Sequence, residues 1–293
     1  MAIPGARLAS DLGAVVAPDN RVFVETAWHE KRLRRSRLRE RRLPVPKKLD
    51  GAHASLISEW CDNYFHWLLD ALPRVAVLAE TGHGDAPVIV PERPRPYQVD
   101  SLELLGIGAA RRRPFERAHV LPDVLVWPSP AGATGHPTAW ACTWLRERLV
   151  PQSSTDGDRL LYVSRSGATH RHVSNEREVV GALTRVGFDV VHPETLTFRQ
   201  QIECFAPASV VVGAHGEGLT NVLFARRATV VELFSPEYVN TSFYSLASAV
   251  GHDYWYLVGA PRRGYDVDVP IADLVTTVES ALAARSLARP ATS

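Results

Sequence analysis

From residue 159 onward the chain alternates short apolar runs with stretches whose apolar positions recur every three to four residues. The runs "RLLYVS" (159–164), "FDVVH" (188–192), "SVVVGA" (209–214), "TVVELF" (229–234) and "YWYLVG" (254–259) are rich in β-branched and aromatic residues and read as strands. Between the first two, "SNEREVVGALTRVG" sets Val179, Val180, Leu183 and Val186 on one helical face, with Ser174 as N-cap and Gly187 as stop. "TFRQQIECFAPA" repeats the pattern with Thr197 as cap and Pro207 as terminator, "NTSFYSLASAVG" repeats it again, and "PIADLVTTVESALAARSLARP" closes the chain as a long helix. Strands alternating with helices build a parallel sheet covered on both faces, so this half is expected to be a Rossmann-like domain.

The first half has a weaker rhythm. "NYFHWLLDALPRVAVLAE" (63–80) is an amphipathic helix interrupted by Pro73, "PVIVPE" a strand, "YQVDSLELLGI" a helix, "VLPDVLVWPSP" a strand and "TAWACTWLRERL" a helix. A second α/β unit is the expectation. The polar stretch "PQSSTDGD" is the long break between periodic segments, and it places the domains at residues 1–152 and 153–293.

Composition narrows the class. The 293 residues carry 33 Lys and Arg against 32 Asp and Glu with 45% apolar residues, so a soluble globular protein is expected. Cys61, Cys142 and Cys204 form neither a disulfide framework nor a zinc cluster. The N-terminus lacks the pattern of a signal peptide, and no window approaches 18 apolar residues, which points to the cytoplasm. The local charge excess is "KRLRRSRLRERR" (31–42), eight basic residues and one acid, followed by Lys47 and Lys48. Residues 31–48 would suit peripheral contact with the anionic inner face of the cell membrane or with an anionic acceptor, or simply a solvated helical face. No aromatic residues interleave with the arginines, which argues against nucleic acid.

Candidate chemistry gathers at strand ends. "AHGEG" follows a wholly apolar strand, where open α/β sheets bind ligands. Gly213, Gly216 and Gly218 permit a sharp turn, and free amides before "LTN" favour an anion, with His215, Thr220 and Asn221 able to donate to a phosphate. A tight corner with a hydrogen-bonded histidine would use the same residues. The stretch is neither GxxxxGK[ST] nor a GxGxxG in a first βαβ unit, which disfavours a P-loop and a nicotinamide cofactor. Arg165 directly follows the first strand of its domain and could clamp a diphosphate; Glu232 ends another strand and could accept from ribose hydroxyls or form a salt bridge. His66 and Asp70, four residues apart on one face of an apolar helix, are a candidate acid/base pair or a helix-stabilising one. "DGD" (156–158) imitates a metal-binding DxD but precedes a strand, and reads as a turn.

The order of "NYFHWLLDALPR", "YVSRSGATHRHVSNE", "FRQQIECFAPASVVVGAHGEGLTNVLFA", "VVELF" and "FYSLASAVGHDYWYL" resembles glycosyltransferase family 61, the capsular-polysaccharide-type glycosyltransferases, over roughly residues 60 to 260. The resemblance implies a GT-B-like fold, two Rossmann-like domains facing across a cleft with the C-terminal helix returning to the first. It implies inverting transfer from a nucleotide-diphosphate sugar to a polysaccharide or glycolipid acceptor, with no other cofactor and no bound metal. His66, Arg165, Asn175, Gln201, His215, Gly216, Gly218, Leu219, Thr220, Asn221 and Glu232 match the family's motif positions. Asp70, assisted by His66, would be the catalytic base. Arg165, His215, Gly216, Glu217, Gly218, Leu219, Thr220, Asn221 and Glu232 would form the donor site. Glu217 replaces the small residue of the family's "HGAGLTN" pattern, and a carboxylate beside a diphosphate must point away or be neutralised, for which Arg226 and Arg227 are at hand. That departure keeps a second possibility open, a non-catalytic nucleotide-sugar or polysaccharide-assembly module.

Overall fold

The computed structural model describes residues 1–10, 12–26, 43–152 and 157–288. The arginine-rich segment 31–42 and Asp156 of "DGD" lie outside the described residues. The chain divides into two compact units, residues 1–134 and 135–293. The division falls ahead of the helix Ala139–Leu149, so that helix belongs to the second unit rather than, as the polar stretch suggested, to the first. The helix packs against the segments 217–224 and 242–250 of the second unit, which explains why the polar stretch after it is not the boundary.

The first unit is built on one mixed sheet of β1 (Ala2–Pro4), β2 (Arg7–Ala9), β3 (Ala14–Val16), β4 (Val22–Phe23), β5 (Lys47–Ser55), β6 (Val88–Val90), β7 (Arg112–Pro114) and β8 (His119–Val126). Its order is β4-β3-β2-β8-β5-β6-β7, with β1 also on β8. The pairs among β8, β5, β6 and β7 are parallel. The N-terminal strands β1 to β4 are antiparallel, which departs from the doubly wound pattern expected of this half. Between β5 and β6 runs the predicted helix, in three pieces: α-helical at Tyr64–His66, π-helical at Trp67–Ala71 and α-helical at Arg74–Glu80. The wide turn is closed by Leu72 N–H donating to Trp67 O across five residues, just before Pro73 withdraws its donor. Trp67, Leu68, Leu69, Ala71 and Leu72 are all buried, and Asp70 is buried among them.

The second unit is the Rossmann-like domain that the periodicity predicts. Its strands β9 (Arg159–Val163), β10 (Asp189–Val191), β11 (Ala208–Ala214), β12 (Thr229–Phe234) and β13 (Asp253–Val258) are all parallel, in the order β10-β9-β11-β12-β13. The chain leaves β9 outward to β10 and returns on its other side at β11, so the sheet's switch point lies between the carboxyl ends of β9 and β11. The helix Phe198–Phe205 starts with the Thr197 cap that the sequence predicts, and Gln200 adds a reciprocal bond to it. The segment Glu217–Phe224 is a 3-10 rather than an α-helix. From Leu219 to Phe224 it is buried throughout, wedged against the helices 198–205, 242–250 and 139–149, with Phe224 edge-on to Phe198 at 5.8 Å. On the sheet's other face, Leu274, Val278 and Ala281 of the C-terminal helix Ile271–Ala288 join Tyr162, Val179, Val212 and Val231 in one core. That helix spends its buried face on the core of its own unit.

Candidate functional site

Arg165 leaves the end of β9 and lays its guanidinium across Gly216, which follows β11. A Cβ on Gly216 would land on Arg165 Nη1, so the guanidinium can lie here only while this position is glycine, for close approach and not for backbone angle, since φ is an extended 168°. Arg165 Nε donates to Arg171 O at 3.1 Å and Nη2 to His170 O at 2.9 Å, holding the side chain in place. Its backbone N–H donates to Glu176 Oε1 at 3.2 Å, a carboxylate that also receives Ser164 and Tyr162 hydroxyls. Burial and then the neighbouring Arg171 lower the Arg165 pKa, opposed by the carboxylates of Glu217, Glu194 and Asp266. Two guanidiniums are thus kept together at the switch point, where a doubly wound sheet binds its ligand.

His215 stands beside Gly216. Its Nδ1 is 2.6 Å from Glu232 Oε1, and Tyr254 donates its hydroxyl to the other carboxylate oxygen at 2.5 Å. Glu232 is 0% exposed, so it is reached through His215 rather than directly. Burial raises the Glu232 pKa, with His215, Tyr254 and Arg171 opposing. Since an ionised carboxylate only accepts, Nδ1 carries the proton and Nε2 is the atom left to meet a ligand. Phe234, Tyr238 and Phe243 surround the imidazole at 5.7, 5.3 and 5.1 Å between ring centres.

Of the other residues expected at this site, Glu217 is exposed and Gly218 partly so, its missing Cβ leaving room for Val163 Cγ1, which a Cβ would meet at 2.9 Å. Leu219, Thr220 and Asn221 are fully buried behind the rim. Asn221 Nδ2 donates to Gln201 Oε1 at 2.8 Å and to Gly218 O at 3.1 Å, tying the turn to the preceding helix. Asn175 clamps the backbone of Val269 with both amide atoms, at 2.8 and 2.9 Å. Arg171 and Tyr238 escape sequence reasoning: the arginine sits in the polar ribbon "GATHRHV" and the tyrosine in the loop after β12. The signal was present in Arg171, a second arginine in the same strand-end loop as Arg165.

In the first unit, the His66 imidazole Nδ1 is 2.7 Å from Asp70 Oδ2. The His66 side chain is 16% exposed and that of Asp70 only 4%. Asn63 caps the helix through a bond from His66 N–H at 3.2 Å, and Trp60 and Phe65 flank the imidazole. Burial raises the Asp70 pKa, with His66 and Arg74 pulling it back. Arg74, one turn on and 1% exposed, is lowered to about 10 by burial, against the attraction of Asp70. The buried carboxylate thus sits between a histidine and an arginine and presents the histidine outward. Both units therefore hold a histidine by Nδ1 against a buried carboxylate.

These features define a two-unit α/β protein with an arginine-lined sheet edge and two histidine–carboxylate dyads. The chain belongs to glycosyltransferase family 61, whose sequence profile, "Glycosyltransferase 61", matches residues 64–231. It is also similar to a β-1,2-xylosyltransferase of Oryza sativa subsp. japonica, 29% identical over 117 residues, and to a β-1,2-xylosyltransferase of Arabidopsis thaliana, 28% identical over 111 residues. These matches cover 34% and 33% of this chain but only 22% and 21% of the relatives' own lengths. Among the described residues, no helix is long and apolar enough to cross a membrane.

Proposed function

We propose that the protein is a glycosyltransferase that moves a sugar from a nucleotide-sugar donor to a hydroxyl of a glycan or lipid-linked acceptor. In this reading it acts by direct displacement with inversion and without a bound metal, in bacterial surface-polysaccharide or exopolysaccharide synthesis. It works in the cytoplasm, with residues 31–48 in peripheral contact with anionic membrane. Its frame is GT-B-like, the first unit serving the acceptor and the second the donor. The observation that carries this reading is the meeting of Arg165, Gly216 and His215 at the switch point of the second unit, within the span that matches the family.

In the proposed step, His66 Nε2 takes the proton of the acceptor hydroxyl while the freed oxygen bonds to the anomeric carbon. The bond from that carbon to the diphosphate oxygen breaks, and the nucleoside diphosphate leaves with the bonding pair. Arg165, Arg171 and His215 offset the charge that develops, a contribution of about 3–4 kcal/mol per well-placed donor. The deep burial of Asp70 favours His66 as the proton acceptor, with Asp70 fixing its tautomer, over Asp70 itself as base. The names of the plant relatives make a pentose as reasonable a sugar as a hexose.

A thermal-shift panel of nucleotide sugars on wild type and Arg165→Ala tests the reading: at least one should raise the wild-type Tm, and Arg165→Ala should abolish the rise. A flat wild-type panel overturns it. The second reading, a binding module without turnover, is favoured by the Glu217 carboxylate, which already offsets the charge of Arg165. Donor binding with neither transfer nor donor hydrolysis would select it.

A further inference from the structure

Tyr265 is a large aromatic residue, 50% exposed, at φ 65°, a left-handed backbone that a bulky side chain adopts only when its surroundings insist. Those surroundings are on either side of it. Gly264 supplies the preceding positive φ of 77°, and Asp266 is pinned when His172 N–H donates to Asp266 Oδ1 at 2.7 Å. Val267 N–H donates to His172 O at 2.9 Å and Ser174 N–H to Val267 O at 2.8 Å, so the loop bearing Tyr265 is laced to the strand-end loop that carries Arg165 and Arg171. The result is a file of planar groups at the carboxyl edge of the sheet. The Tyr265 ring lies 5.6 Å from that of Tyr238, the Arg171 guanidinium lies 5.0 Å above Tyr238, and Tyr238 in turn lies 5.3 Å from His215.

The positive φ of Gly264 and Tyr265 belongs to the hairpin turn between Ala260–Pro261 and Val267–Asp268, which Arg262 N–H closes on Asp266 O at 2.9 Å, and the turn presents the Tyr265 ring half-exposed beside Tyr238. A ligand with a flat aromatic end and a polyanionic end would use both features, the ring for stacking and the neighbouring guanidiniums for charge. A nucleoside diphosphate has that build, its base and its diphosphate separated by one ribose. A free sugar or an inorganic anion would use one end of the file only.

We propose that Tyr265, backed by Tyr238 and Arg171, is the stacking platform for the nucleobase of the donor. The proposal rests on the donor-site reading above and adds to it the residue that recognises the base. Calorimetric titration of UDP, GDP and inorganic diphosphate into wild type, Tyr265→Ala, Tyr265→Phe and Arg165→Ala tests it, with far-ultraviolet melts to confirm folding. For whichever nucleotide wild type binds more tightly, Tyr265→Ala should weaken affinity at least about fivefold, the lower end of what base–aromatic stacking supplies. Inorganic diphosphate should bind within twofold of wild type, and Tyr265→Phe should keep nucleotide affinity within twofold. Arg165→Ala should weaken both ligands. If Tyr265→Ala binds nucleotide as well as wild type while Arg165→Ala does not, the platform is overturned and the donor site stands. The platform is equally overturned if Tyr265→Ala loses inorganic diphosphate in proportion, or if Tyr265→Phe loses as much as Tyr265→Ala. If wild type binds neither nucleotide, the platform and the donor-site reading fall together.

Discussion

Gly216 and Arg165 form one device made from two residues 51 positions apart. The arginine can cross the turn only because the glycine has no side chain, and the glycine is required only because the arginine crosses it. Gly216→Ala should therefore act through Arg165, dislodging the guanidinium from the His170 and Arg171 carbonyls and weakening nucleotide affinity about tenfold or more, the scale of a charged hydrogen bond. Because φ is extended, the backbone pays nothing, and the melting temperature should move little. The decisive comparison is the double variant: if Gly216→Ala weakens binding further in an Arg165→Ala background, the coupling is wrong. Thr220 makes the opposite case. It sits in the turn motif, yet it is 0% exposed and its hydroxyl has no hydrogen-bond partner among the described residues. Thr220→Val should leave nucleotide affinity unchanged and stability equal or raised by up to about 1 kcal/mol, since a buried unpaired hydroxyl costs free energy. Urea unfolding with the same nucleotide titration checks both halves.

At the scale of elements, the 3-10 helix 217–224 and the start of β12 are joined by His252, which follows the helix Ser242–Val250. Its Nε2 donates to Val222 O at 2.9 Å, and its Nδ1 accepts from Ala228 N–H at 3.2 Å, an arrangement open only to the neutral ring. Burial accordingly lowers its pKa to about 4 from 6.5. The folded value is depressed, so the unfolded chain binds the proton first. The stability His252 confers is complete above pH 6.5, drains away between 6.5 and about 4, and amounts to about 3 kcal/mol over that window. Urea midpoints of wild type and His252→Gln at pH 7 and pH 4.5 check this: the variant should lose much less stability on acidification, and parallel curves would refute it. The elements themselves were legible where burial is simple. All five strands of the second unit and the Thr197 cap follow from apolar runs and polar punctuation, most plainly β11 and β12, which are buried throughout and have no polar alternation to confuse them. The short N-terminal strands β1 to β4, two or three residues each, are too brief to have a period. The π-turn at Trp67–Ala71 was hidden because His66 and Asp70, four residues apart, fit the period of an ordinary α-helix. The site was half legible: strand ends announced Arg165 and His215. The burial of Glu232, Thr220 and Asn221 depends on what packs behind the turn, and Tyr265 owes its place to a loop laced to residues 172–174, a tertiary fact no local pattern records.

At the scale of the molecule, the two dyads differ in what surrounds the imidazole. His215 stands beside a buried glutamate, a hydroxyl donor and two arginines, an environment that gathers positive charge for an anion. His66 stands on a carboxylate with aromatic flanks, an environment that fixes the orientation and tautomer of the ring. If the first unit supplies the base and the second holds the donor, substitutions in the two units should separate binding from turnover. His66→Gln and Asp70→Asn should bind nucleotide within twofold of wild type while lowering kcat by about 10²- to 10⁴-fold, the range general-base catalysis contributes. Asp70→Asn should be the milder, because an amide can still hold Nδ1, though it can do so in the wrong tautomer. Arg165→Ala should instead lose affinity first and turnover with it. Measuring Kd by titration and kcat with saturating donor for the three variants decides the matter. A His66→Gln enzyme with full turnover, or one that no longer binds nucleotide, would remove the base from the first unit and with it the division of labour between the two.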